Sequence, residues 1–85
     1  RLLARYGLTP PDYARLLLMR EGGCWICGRL PTNYPLHVDH CHKTKTIRGL
    51  LCIRCNRLLG YARDEIDILR RAIAYLESHR AEEAA

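Results

Sequence analysis

CWICGRLPTNYPLHVDHCHKTKTIRGLLCIRC, residues 24–55, opens on one pair of cysteines two residues apart and closes on another. Two intervening residues let both sulfurs of a pair turn toward one ion, and four thiolates complete a closed tetrahedral zinc site. Twenty-four residues separate Cys27 from Cys52, slightly more than in the commonest zinc ribbons and enough for a β-hairpin. Cys24, Cys27, Cys52 and Cys55 are therefore expected to hold a structural zinc ion. Redox CxxC motifs usually come singly beside a βαβ pattern, and this chain has two pairs and no such pattern. A two-cysteine, two-histidine finger on Cys24, Cys27, His40 and His42 would have twelve residues in its loop, which fits, but one residue between its histidines, which is too few. It would also leave Cys52 and Cys55 without a task.

The composition supports a zinc staple. The chain has 85 residues, one Trp and no Phe, so a single small domain has too little apolar mass to be secure unaided. An odd cysteine count arranged in CxxC pairs points to metal ligation in a reducing compartment rather than to a disulfide framework, which would bind no zinc. No apolar run approaches the length of a membrane span, so a soluble protein without membrane contacts is expected. Net charge is +5, unevenly placed. Residues 31–63 carry Lys43, Lys45, Arg48, Arg54, Arg57 and Arg63 against Asp39 alone, whereas residues 64–85 hold six acids against three arginines. The basic middle suits a polyanion, with Arg48, Lys43, Lys45 and Arg57 as candidate phosphate contacts; the alternative for Arg48 is a surface or hairpin salt bridge.

Around the cysteines the elements are short. Thr9, Pro10 and Asp12 form a helix-start signal, Tyr13, Leu16 and Leu17 a buried stripe, and Gly22-Gly23 a stop. LHVDH and TIRGLLC predict two strands joined by CHKTK. A short helix is expected after CIRCN and to end at Gly60. DEIDILRRAIAYLESHR predicts a longer helix whose Ile66, Leu69, Ile73 and Leu76 pack on the hairpin, followed by AEEAA as a frayed tail. His79 is expected to interact with the end of that helix.

With four sulfurs on the zinc, HVDHCH at residues 37–42 is free for a second site. Asn56 follows the last zinc ligand and is held on a rigid element. Asp39 and Asn56 offer hard oxygen donors that suit Mg²⁺ or Mn²⁺ and leave most of an octahedron open to water and phosphate. The bland alternative for Asn56 is a helix N-cap. His40 is the candidate general base, since a neutral imidazole can take a proton from water near neutral pH. In a regular strand Asp39 and His40 point to opposite faces, so a shared site requires the strand to end, twist or bulge there. Cys41 serves neither metal and is expected to be a half-buried spacer, with His37 facing solvent or a bound polyanion.

These residues, with DHCH, RGLLC and CN in order between two CxxC pairs, resemble the recombination endonuclease VII family of HNH nucleases, over about residues 6–78. The resemblance implies an α+β fold: a small zinc-stabilised ββα-metal, treble-clef-like domain with an N-terminal helix and a longer C-terminal helix. One domain over residues 1–85 is expected, with its zinc-binding core at 24–60. The resemblance also implies a DNA endonuclease, with Asp39 and Asn56 on the catalytic Mg²⁺ or Mn²⁺, His40 as base and His42 at the scissile phosphate. The product ends implied are 5′-phosphate and 3′-hydroxyl, and the setting is the cytoplasm of a bacterial or phage-infected cell. Well-known members carry further C-terminal helices, dimerise and cleave branched DNA. Here monomer and homodimer both stay open, and a non-catalytic zinc module that binds nucleic acid is the alternative.

Overall fold

The structure, a computed structural model, describes residues 7–84. Helix α1 (Pro10–Leu18) starts as its sequence requires. The Thr9 hydroxyl accepts the Asp12 N–H at 3.3 Å while the Asp12 carboxylate accepts the Thr9 N–H at 3.0 Å, so two end groups satisfy each other. Its stripe of Tyr13, Leu16 and Leu17 packs against the core, and the Tyr13 hydroxyl donates to the Leu36 carbonyl at 2.7 Å.

The chain then makes a tight knuckle at residues 24–28. The Gly28 N–H donates to the Cys24 carbonyl at 2.9 Å, with Gly28 at φ +79°, where a side chain would be strained. The Trp25 N–H donates to the Leu50 carbonyl at 2.9 Å and fastens the knuckle to the sheet.

Strands β1 (His37–His40) and β2 (Ile47–Leu51) form an antiparallel hairpin. Its loop is closed by the Cys41 N–H on the Thr46 carbonyl at 2.8 Å and the Lys45 N–H on the Cys41 carbonyl at 2.7 Å. Asp39 pairs with Gly49 but His40 pairs with Ile47, so Arg48 is an extra residue and the ladder bulges between Asp39 and His40. This is the local irregularity that a shared Asp39–His40 site needs. Helix α2 (Ile53–Tyr61) follows at once, giving the order strand, strand, helix. The core is Leu36, Leu50, Leu51, Cys24 and Cys55. Two of its five members are expected metal ligands, so the core and the cysteine site are one structure.

Three expectations about α2 and the last helix need correction. Gly60 does not end α2, which runs through it to Tyr61 with Ala62 as C-cap. A helical glycine costs only about 1 kcal/mol relative to Ala, which the surrounding turns absorb. The chain turns instead at Arg63 and Asp64, both left-handed at φ +55° and +57°. Helix α3 (Ile66–Ala84) does not lay its stripe on the hairpin: Leu69 is half-buried, but Ile66, Ile73 and Leu76 are 62%, 56% and 59% exposed. Nineteen helical residues span roughly 28 Å, far more than a hairpin of four- and five-residue strands can cover. The molecule is accordingly elongated, 52 × 28 × 20 Å. The expected frayed tail is also helical as far as Ala84, with Ala85 outside the described residues, and His79 Nε2 meets Glu83 one turn later at 2.6 Å.

Candidate functional site

The four cysteines converge from the knuckle and from the start of α2. Zinc with four sulfurs at about 2.3 Å sets sulfur–sulfur edges of about 3.8 Å in a regular tetrahedron. Cys27 Sγ and Cys52 Sγ lie 3.8 Å apart, and all four Sγ atoms lie within 4.8 Å of one another. All five cysteines are free thiols. Backbone donors are turned on the sulfurs: the Ile26 N–H reaches Cys24 Sγ at 3.4 Å and the Cys55 N–H reaches Cys52 Sγ at 3.5 Å. Cys52 is thereby also the N-cap of α2, where the helix dipole favours a thiolate.

The cluster's acidity agrees with this design. Burial works to raise the Cys24 thiol, but backbone N–H groups and the neighbouring Cys55 thiol outweigh it and hold Cys24 at about 6. Burial and then the Cys52, Cys24 and Cys27 sulfurs push Cys55 up to about 12. The Cys24 thiolate forms easily, whereas a Cys55 thiolate needs a cation to neutralise it. The donor set and its spacing fit zinc.

Beside this cluster lies an open cleft of about 1300 Å³. Asp39, His40, His42, Lys43, Arg48 and Asn56 all line it. The hairpin bulge brings Asp39 and His40 to one side, and α2 brings Asn56, with Leu59 and Gly60 following on the same helical stripe and Arg63 in the turn beyond it. Asn56 is not the N-cap of α2, because Cys52 holds that place; the capping alternative is thereby removed. The His40 and His42 rings sit 4.9 Å apart, inclined at 57°. His37 is half-buried at the cleft wall. Cys41 is a half-buried cleft residue whose thiol is lowered to about 7, first by the Thr44 hydroxyl and then by backbone N–H groups. Lys45 and Arg57 are exposed and do not line the cleft.

Asp39 is buried, and both of its oxygens are engaged by Arg48. Nε donates to Oδ2 at 2.7 Å and Nη2 to Oδ1 at 3.0 Å, while Nη2 also reaches Asp64 Oδ1 at 3.3 Å. A cation therefore already sits on the carboxylate expected to bind a divalent ion, and that carboxylate lines the cleft. Sequence reasoning placed Asp64 only at the start of the stretch that predicts the last helix. Nothing local announces its contact with Arg48, because the turn that makes it contains no glycine.

Hairpin, helix and four-thiol cluster together define a small α+β domain with, among the described residues, three helices, a two-stranded sheet and four cysteines placed to hold a metal ion. The chain belongs to the recombination endonuclease VII family, whose model matches residues 1–78. Among curated proteins it is similar to the Gene 59 protein of Mycobacterium phage D29, 49% identical over 78 residues that cover 89% of this chain and 47% of the phage protein. The Gene 59 protein of Mycobacterium phage L5 is 47% identical over 78 residues, covering 89% of this chain and 48% of the relative. The chain thus spans about half the length of these relatives. No solved structure matches it. Among the described residues no helix is long and apolar enough to cross a membrane.

Proposed function

We propose that this chain is a metal-dependent DNA endonuclease domain of the HNH, ββα-metal type, acting in a phage-infected cell. The observation that carries the proposal is the convergence of Asp39, His40 and Asn56 on one cleft, from a bulged strand and the first turns of the helix that carries Cys55 of the four-cysteine cluster. Membership of the recombination endonuclease VII family supports it independently.

Cys24, Cys27, Cys52 and Cys55 would hold structural zinc, which sets the position of α2 and with it Asn56. Asp39 and Asn56 would hold Mg²⁺ or Mn²⁺, which supplies electrostatic stabilisation of the charge that builds on the phosphate. His40 takes the proton of the attacking water. His42, one ring away, contacts the scissile phosphate, and Lys43 and Arg63 make the cleft wall attractive to the DNA backbone. Lys45 and Arg57, outside the cleft, meet flanking phosphates.

The test is incubation of zinc-loaded protein with supercoiled plasmid, linear duplex, four-way junction and single strand, with Mg²⁺, with Mn²⁺ and with chelator. Metal-dependent cutting of at least one substrate is expected. Gel shifts without cutting in either metal would leave a non-catalytic nucleic-acid-binding module instead.

A further inference from the structure

We propose that Arg48 is the resident counter-ion of the Asp39 site and yields the carboxylate to a divalent cation by moving onto Asp64. The proposal rests on Asp39 being a metal ligand. It makes Asp64 a positioning residue, one that touches neither metal nor substrate.

Asp39 is only 9% exposed, and a buried carboxylate without a cation is strongly disfavoured. Before any metal binds, that cation is Arg48, whose two-pronged grip takes both oxygens. The grip exists because Arg48 is the extra residue of the bulge and has no cross-strand partner. A divalent ion needs at least one of the same oxygens, and two cations cannot share that carboxylate closely without repelling. Arg48 must give up at least one oxygen, and Nη2, which already faces Asp64, is the group placed to leave.

The place to which it withdraws is already built. Asp64 Oδ1 stands 3.3 Å from the same Nη2 that holds Asp39, and the Arg48 side chain is 36% exposed, leaving it room to swing. Asp64 reaches this point only because Arg63 and Asp64 are both left-handed. Non-glycine residues resist that conformation, and such strain gathers where a site requires it. Charge supports the exchange as well. Asp39, Asp64 and Arg48 sum to −1, a divalent ion brings the group to +1, and one phosphodiester then neutralises it. Once on Asp64, Arg48 stays at the cleft wall, where it can meet the phosphate.

The test measures Mn²⁺ affinity of zinc-loaded, DNA-free protein by electron paramagnetic resonance of free Mn²⁺. The variants are Asp64→Asn, Arg48→Gln, their double and Asp39→Asn, each checked for zinc content and circular dichroism. Asn tolerates the left-handed conformation, so the turn should survive in Asp64→Asn. Arg48→Gln should tighten Mn²⁺ binding, and Asp64→Asn should weaken it, each by roughly 5- to 10-fold. In the Arg48→Gln background the Asp64→Asn loss should largely vanish. An equal loss in both backgrounds would mean Asp64 acts only as a distant charge, and the exchange is overturned while the metal site stands. Unchanged Mn²⁺ binding in Asp39→Asn would overturn the metal-site assignment itself, and the exchange with it.

Discussion

Gly49 lies so close under the indole of Trp25 that a Cβ there would sit 2.5 Å from Cε3 and 2.8 Å from Cδ2. The ring cannot easily yield: its backbone N–H is bonded to Leu50, and the Arg20 guanidinium lies 4.6 Å from its centroid. Gly49→Ala should therefore overpack the junction between knuckle and sheet and destabilise the zinc-loaded protein by about 1–3 kcal/mol. Trp25 is the single tryptophan, so urea unfolding followed by its fluorescence reads the effect directly. A wild-type midpoint would show that the close packing is not real.

Gly60 should respond with the opposite sign. It lies inside α2, nothing stands within 4 Å of a Cβ built there, and its φ is not left-handed. Gly60→Ala should stabilise the domain by about 0.5–1 kcal/mol through helix propensity and reduced freedom of the unfolded chain. A rise in thermal midpoint of a few degrees is expected; a fall would mean that the helix is broken at this position.

Zinc removal should unfold the domain, because two of the five core residues are themselves the cysteines of the cluster. Far-UV circular dichroism before and after strong chelation measures this. Loading should also release protons. Above about 6 the Cys24 proton is gone, but Cys55, raised to about 12, retains its own at neutral pH until a cation displaces it. Zinc affinity should therefore rise with pH over this range. Calorimetry in two buffers of different ionisation enthalpy counts the protons, and zero release would exclude ligation by Cys55.

Asn56→Ala should leave fold and zinc intact, since the cap of α2 belongs to Cys52. It should weaken the second metal, with activity partly recovered at high Mn²⁺. Loss of thermal stability together with full activity per folded molecule would make Asn56 a structural residue only.

His40→Ala should lower the single-turnover cleavage rate by about 10²–10⁴ with DNA and both metals still bound. A base acts only when unprotonated, so the wild-type rate should climb with pH to a plateau, and the variant should lose that limb. Asp39→Ala should differ by losing Mn²⁺ itself. A His40→Ala protein that cuts within a few-fold of wild type would pass the role to His42, whose ring is 4.9 Å away.

The four-cysteine cluster and the α1 cap were legible from sequence because the pattern behind each is local. Two residues between cysteines suffice to aim two sulfurs at one ion, and a Thr–Asp pair three apart satisfies the first backbone N–H groups of a helix. Asp39, His40 and Asn56 could be nominated by chemistry and order, but their meeting in one cleft depends on a bulge, where a single extra residue, Arg48, shifts the strand out of phase. A hairpin salt bridge was an open alternative for Arg48, but its reach to Asp64 lay beyond sequence, since the turn that makes it uses two left-handed residues with no glycine to mark them. Helix α3 makes the same division plain. Helical spacing of Ile66, Leu69, Ile73 and Leu76 specifies which side chains share a face, but only tertiary structure decides what that face meets, because periodicity carries no information about a partner.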